Sequence, residues 1–311
     1  MEKKTTIKVI GIGGAGGNAI DRMMQYKMKG IDLIAVNTDV QDLKKIRAIQ
    51  KIRIGQESTH GLGAGMNPEL GKRAAIESKE ELTEALKGAD MIFLAAGLGG
   101  GTGGGAIPVV AEIARSLGAL CIAVVTRPFS FEGAWRAKLA EKALGELKGN
   151  VDTLLVIPND QILKLADLDM SVISAFWKAD EILRQAVQGI SDLIMIPGII
   201  NVDFADLKSI MKNSGRAIFG MGQAKGEKRM EHALGAALHS PLLDMSIKGA
   251  KGVLFNVAGS EDVSLQEIQE AAEEIKKEIS PSAKIIFGAL HDKTLKSGEV
   301  RITVIATGFA E

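Results

Sequence analysis

Residues 97–105 read Gly-Leu-Gly-Gly-Gly-Thr-Gly-Gly-Gly. Glycine permits positive φ and lets a backbone approach a ligand with no Cβ in the way. Several amide N–H groups can then converge on one concavity, helped by a helix dipole, and such a concavity binds anions, phosphates above all. The run lies between Asp90-Met-Ile-Phe-Leu-Ala-Ala96, apolar and of strand length, and Ala106–Leu117, which has helical spacing with Pro108 in its first turn. A flexible linker has no reason to sit between a buried strand and a helix. A second stretch, Gly11-Ile-Gly-Gly-Ala-Gly-Gly-Asn18, follows a strand over Thr5–Gly11 and precedes a helix over Ala19–Met28. Gly11, Gly13 and Gly16 satisfy G-x-G-x-x-G, which by itself fits a nicotinamide-dependent oxidoreductase almost as well as a mononucleotide binder. A dinucleotide fold needs one such loop, so two argue against it. No G-x-x-x-x-G-K-[ST] is present, because Gly65 and Gly71-Lys72 have the wrong spacing.

Other candidates are more equivocal. Gly61-Leu-Gly-Ala-Gly65 is either a turn or a mobile loop that reports on a terminal phosphate. Glu132 and Arg136 share a helix face, as a surface ion pair or as ligands of a sugar hydroxyl and a neighbouring polar group. Asp180 lies on the apolar stripe Val172, Phe176, Asp180, Leu183, Val187, Ile190, Ile194 of a long helix. A carboxylate there either sits at the stripe's edge in water or accepts the adjacent ring N–H and amino donors of guanine, which adenine cannot offer. Phe176, one turn earlier, would stack on the base. Asp203 and Asp206, three apart in Asn201-Val-Asp-Phe-Ala-Asp206, are either an N-cap and a dipole-facing first-turn acid or a pair that orients and polarises water.

These residues need a scaffold. Strands alternate with helices through the first half, so the expected fold is α/β, a parallel sheet with helices on both faces and ligands at the carboxyl ends of the strands. From about residue 207 the pattern becomes α+β, with helical stretches Lys225–Leu238 and Ser264–Glu278. Strands near 216–222, 252–258, 283–289 and 299–306 make one small sheet with two helices on one face. The chain has 311 residues, with 46% hydrophobic and 24% charged, a globular composition. Lys+Arg and Asp+Glu are both 38, so there is no general electrostatic footprint for nucleic acid or for an anionic membrane. One cysteine, Cys121 in an apolar run, excludes an internal disulfide and a cysteine metal cluster and reads as a buried structural thiol. No signal-peptide pattern or bilayer-length apolar run is present, so a cytoplasmic protein is expected.

Taken together the motifs resemble FtsZ, the tubulin-like GTPase family of prokaryotic cell division. The matching pieces are residues 13–18, Asn-Thr-Asp 37–39, 61–65, Gly-Gly-Gly-Thr-Gly 99–103, Phe-Glu-Gly with Arg136, Ile-Pro-Asn-Asp 157–160, Asp180, 201–206 and Ala-Thr-Gly-Phe 306–309. The resemblance implies a tubulin/FtsZ-like fold: a Rossmann-like GTP-binding domain over 1–170, a central helix over 171–196 and a smaller α+β domain over 197–311. It implies GTP or GDP held by Gly14, Ala15, Gly16, Gly17 and Asn18 and by Gly101, Thr102, Gly103 and Gly104. Glu132 and Arg136 would contact the ribose side, and Asn159 and Asp180 would read guanine with Phe176 against the base. Residues 61–65 would sense the γ-phosphate. Asn201, Asp203 and Asp206 would act on the nucleotide of the next subunit in a head-to-tail homopolymer at the division site. Mg2+ would offset phosphate charge, with no metal site built from protein ligands alone. Gly104 stands where the family usually has Thr or Ser, so one hydroxyl to phosphate is expected to be missing. That leaves an alternative: a nucleotide-binding relative with little polymerisation or turnover. The sequence stops five residues past Ala306, so adaptor contacts that the family makes through a C-terminal tail are not expected, nor is nucleic-acid binding or direct membrane insertion.

Overall fold

Met91 through Ala96 are buried on both faces, as the apolar run requires of a central strand in a parallel sheet covered on both sides. The computed structural model describes residues 5–26, 28, 30–164, 170–240, 246–260, 262–292 and 294–309. They fall into two units, 1–188 and 189–311. The first runs β1 (Ile7–Ile12), α1 (Gly13–Gln25), β2 (Ile31–Asn37), α2 (Val40–Lys45), β3 (Gln50–Arg53), α3 (Gln56–Thr59), α4 (Pro68–Glu77) and α5 (Lys79–Leu86). It continues β4 (Met91–Gly97), α6 (Gly101–Ser116), β5 (Leu120–Arg127), a 3-10 turn (Ser130–Glu132), α7 (Ala134–Lys148), β6 (Thr153–Pro158), α8 (Asn159–Leu163) and α9 (Val172–Met195). Its strands lie in the order β3-β2-β1-β4-β5-β6, every neighbouring pair parallel. All their carboxyl ends therefore share one edge.

Two helices begin earlier than the sequence pattern indicates. The helix expected from Ala19 starts at Gly13, and the one expected from Ala106 starts at Gly101, so most of each glycine run is helix rather than loop. Pro108 consequently lies inside α6, not in its first turn. Glycine costs a helix up to about 1 kcal/mol per residue, and packing supplies the compensation. A Cβ at Gly105 would stand 2.0 Å from the Pro68 carbonyl oxygen, and one at Gly71 would stand 2.1 Å from the Gly101 carbonyl oxygen. α4 and α6 thus cross backbone to backbone. Cys121 is fully buried, and burial pushes its thiol pKa far up, so it is the inert structural thiol expected.

The second unit contains the end of α9, then α10 (Phe204–Met211), β7 (Gly215–Lys225), α11 (Arg229–Leu238), β8 (Gly252–Gly259), α12 (Leu265–Glu278), β9 (Lys284–His291) and β10 (Glu299–Thr307). The stretch expected as helix from Lys225 is strand to that residue, and α11 starts at Arg229. Its strands run β7-β10-β8-β9, with β8 and β9 parallel and the other two pairings antiparallel. Met230, Ala233 and Leu234 of α11 and Ile268, Ala271 and Ile275 of α12 enter one core with the sheet. Among the described residues no helix is long and apolar enough to cross a membrane.

Arg229 staples the two helix starts. Its Nε and Nη2 donate to Glu267 at 2.7 and 3.0 Å, and its Nη1 donates to Asp262 at 2.8 Å. Glu267 also closes the capping box with Ser264 that begins α12. Hydrogen bonds from Ser260 and Arg229 hold Asp262 down at about 2, and the one from Arg229 lowers Glu267. Depressed carboxylates stabilise fully above their unfolded values near pH 4 and lose that contribution as pH falls through their folded ones. Arg229→Met should therefore lower unfolding stability by about 1–2 kcal/mol at neutral pH, read in a urea melt, with the difference shrinking as pH drops from 5 to 2.

Candidate functional site

The site begins at the shared carboxyl edge of the first unit's sheet. β1 feeds α1 and β4 feeds α6, so two helix N-termini point at the same region. Their first-turn amides, Gly13 to Ala15 and Gly101 to Gly103, have no acceptor inside their helices; that of Gly101 is taken by the Gly65 carbonyl at 2.6 Å. The two runs abut: a Cβ at Gly13 (φ +73°) would stand 3.1 Å from the Gly103 nitrogen, and one at Gly97 would stand 2.7 Å from the Ala15 Cβ. The glycines do different jobs. A Cβ at Gly16 would strike the Ala95 carbonyl at 2.4 Å, and Gly17 backs onto Ile46, so both serve packing of α1. Gly14 is exposed, with only Asp42 nearby at 3.5 Å, and Gly100 has nothing within 4 Å. An open side lined by helix-start amides is suited chemically to an anion. The position of Gly104 opens toward Ala143 of α7, at 3.5 Å.

Side chains brace the cradle. The Thr38 hydroxyl, just past β2, and the Thr102 hydroxyl, in the first turn of α6, share a hydrogen bond of 2.6 Å. Asp39, the acidic residue after β2 that a dinucleotide enzyme would turn toward a ribose, instead caps α2 by accepting from the Gln41 and Asp42 amides. Asp42 accepts from Asn37 at 2.9 Å. The cluster 61–65 is a loop held to the cradle through Gly65. Glu132 accepts from Arg136 at 2.9 Å and from the Phe129 amide at 2.9 Å, at the start of α7.

The other end of the site is flat, aromatic and charged. Phe176 meets Phe129 edge-on at 5.1 Å and Phe131 at 6.4 Å, leaving Phe176 40% exposed. Asn159, at the end of β6, is buried with an Oδ1 that has no hydrogen-bond partner. Asp180 is 7% exposed, so the stripe-edge reading is wrong. Burial pushes its carboxyl up to about 7, against the pull of Arg22, whose Nε lies 3.8 Å away. A buried carboxylate and a buried carbonyl oxygen, both short of donors, suit a base edge rich in N–H groups. Sequence reasoning missed Arg22, Asp42 and the Phe129–Phe131 pair, and it named Asn-Thr-Asp 37–39 without the pairing of Thr38 with Thr102. Arg22 was findable, since it falls between Ala19 and Met23 on the buried face of α1.

In the second unit Asn201, Asp203 and Asp206 are all exposed. Asp203 occupies the N-cap position of α10 but makes no side-chain capping bond. Asp206 follows in the first turn, its amide donating to the Asp203 carbonyl at 3.0 Å. Asn201 Oδ1 accepts from the Gly198 amide at 2.7 Å, and Ile200 exchanges two backbone bonds of 3.1 Å with Ala289 on β9. The loop is fixed, and Ile199 beside it is 69% exposed.

This geometry meets its counterpart in known proteins. Residues 6–167 match the GTPase domain of the tubulin/FtsZ family, and residues 215–310 match the FtsZ C-terminal domain. An FtsZ dimer structure from M. jannaschii superposes with a TM-score of 0.95 at 46% identity, covering 99% of this chain and 89% of that one.

The chain belongs to the tubulin/FtsZ family.

CetZ2 from Haloferax volcanii, solved as a GTPγS-bound protofilament, shares the fold, with a TM-score of 0.81 over 97% of this chain and 92% of that one at 24% identity. The protein is thus an FtsZ-type GTPase with the expected tubulin/FtsZ architecture, and the oxidoreductase reading of Gly11, Gly13 and Gly16 is overturned. The alternative of a relative with little turnover, motivated by Gly104, is not favoured.

Proposed function

We propose that this GTPase assembles head to tail and that hydrolysis takes place where one subunit's acidic loop meets the next subunit's nucleotide. Each subunit holds GTP with the α1 and α6 N-termini, Gly14 to Asn18 and Gly101 to Gly104 flanking the phosphates. Glu132 and Arg136 line the sugar side; Asn159 and Asp180 read guanine, with Phe176 on the base. Asp203 and Asp206, oriented with Asn201, polarise the attacking water of the neighbour's site. The observation that carries the reading is the exposure of these two acids, three apart at a helix start and idle as caps. By contrast, the carboxylates beside the phosphate cradle, Asp39 and Asp42, are engaged. A heterologous contact that does not close makes filaments, and the FtsZ dimer and CetZ2 protofilament are precedents for self-association.

Mg2+ fits as a passenger of the nucleotide. Among the described residues no three His, Cys, Asp or Glu side chains cluster as a metal cage, and Mg2+ is commonly held by phosphate oxygens and water with few protein ligands. When bound it neutralises charge on the phosphates. The division into a GTP-binding domain (1–170), a connecting helix (171–196) and a C-terminal domain (197–311) belongs to the same proposal; the change of unit within α9 supports it. A cytoplasmic location at midcell is a further part of this proposal, which a fluorescent fusion would test. The function is tested by following phosphate release and light scattering against protein concentration. Both should rise from one shared threshold; phosphate release proportional to concentration, with no threshold, would refute polymer-dependent hydrolysis.

A further inference from the structure

The contacts of Arg22 go beyond packing. Its guanidinium carbon lies 3.9 Å from the centroid of the Trp177 ring, while its Nε stands 3.8 Å from Asp180 Oδ2. Arg22 and Asp180 are both buried, at 8% and 7% exposure. The arginine Nε makes no hydrogen bond. Held between a ring and a carboxylate, the guanidinium has little freedom, and the ring face attracts the cation stacked on it. A second pair repeats the arrangement, with Arg184 of α9 over the Tyr26 ring at 3.9 Å. α1 and α9 are thus clasped on either side of Asp180.

We propose that Arg22 is a specificity-determining positioning residue for the base: clamped by Trp177, it aims the Asp180 carboxylate, and the preference for guanine depends on it. The inference rests on Asp180 reading guanine. Guanine's paired N–H donors need an ionised acceptor, whereas a protonated carboxyl presents a donor of its own and loses that selectivity. Burial outweighs the opposing pull of Arg22 and leaves Asp180 at about 7, so losing Arg22 would raise it further. Among the described residues no other charge nearby is available to substitute. On α9, Glu181 is paired with Arg184, and Lys178 lies about 200° around the helix from Asp180. On α1, Asp21 is engaged by Arg47 and Gln25; beyond β6, Asp160 accepts from the Ser130 amide.

The test measures GTP and ATP affinities of the full-length protein by competition between pH 5.5 and 8.5. In the wild type, GTP binding should weaken as pH falls through about 7 while ATP binding barely changes. Arg22→Met should cut the GTP:ATP preference at pH 7 by tenfold or more and move the pH midpoint for GTP upward. Arg22→Lys should recover part of both, and Trp177→Leu, which leaves the charge but loosens its seat, should shift both in the direction of Arg22→Met by less. In an Asp180→Ala background Arg22→Met should have no further effect on the ratio. If Asp180→Ala collapses the preference while Arg22→Met and Trp177→Leu keep the wild-type ratio and midpoint, the role of Arg22 is overturned. If Asp180→Ala itself keeps the preference, the base-reading assignment falls.

Discussion

Asp206→Ala should lower GTP turnover at least about a hundredfold at saturating nucleotide while GTP affinity stays within about twofold. A general base within reach of a reacting water contributes roughly 10²–10⁴ in rate, and the nucleotide loops of the first unit contain none of residues 201–206. The variant should fold. Asp206 is exposed and contributes to α10 by its place near the helix dipole, worth about 0.5 kcal/mol. Asp206→Asn should behave like the alanine, since an amide has the shape of the carboxylate but accepts no proton. Single-turnover phosphate release beside a nucleotide-binding titration measures both quantities. Turnover that survives in polymers of Asp206→Ala would move the base elsewhere, with Asp203 the next candidate; loss of binding in step with turnover would mean the residue supports the pocket of its own subunit.

The second large effect separates glycines within one run. Gly100→Asp should abolish GTP binding, by more than about a hundredfold, without loss of thermal stability. Gly100 is the N-cap residue of α6, with φ −99° and ψ 171° and open space where a Cβ would go. Aspartate is favoured at that position because its carboxylate accepts from first-turn amides. Those are the amides assigned to the phosphates, and the added charge repels the ligand at the same place. Gly105→Ala should do the reverse. Its Cβ would lie 2.0 Å from the Pro68 carbonyl, so α4 and α6 must part at a cost of about 3 kcal/mol. Thermal melts with and without GTP distinguish them: Gly100→Asp keeps the apo melting temperature and loses the GTP-induced rise, while Gly105→Ala melts early in both.

This division of labour also marks what the sequence hides. The parallel sheet was legible because strands such as Met91–Ala96 are continuous apolar runs, and the long helix was legible because its stripe stepped by threes and fours. The helix starts at Gly13 and Gly101 were not, since glycine's poor intrinsic propensity was overridden by backbone contacts with α4, β1 and β4 that lie far away in sequence. The same blindness concealed the packing role of Gly16, Gly17 and Gly105. Asp180 was legible as a polar residue in phase with an apolar stripe. Arg22 obeyed the same rule on α1 and was passed over beside a glycine motif. The pairing of Thr38 with Thr102, 64 residues apart, has no local signature at all.

The shared-site claim is tested most directly by mixing Asp206→Ala subunits, which retain the nucleotide pocket, with Gly100→Asp subunits, which retain the acidic loop. Polymers are pelleted to verify that both variants are present, and their phosphate release is compared with each variant alone. The account predicts that the mixed polymer hydrolyses GTP well above the sum of its parts, at junctions where an intact pocket faces an intact Asp206. Co-pelleting polymers whose rate equals that sum would contradict it.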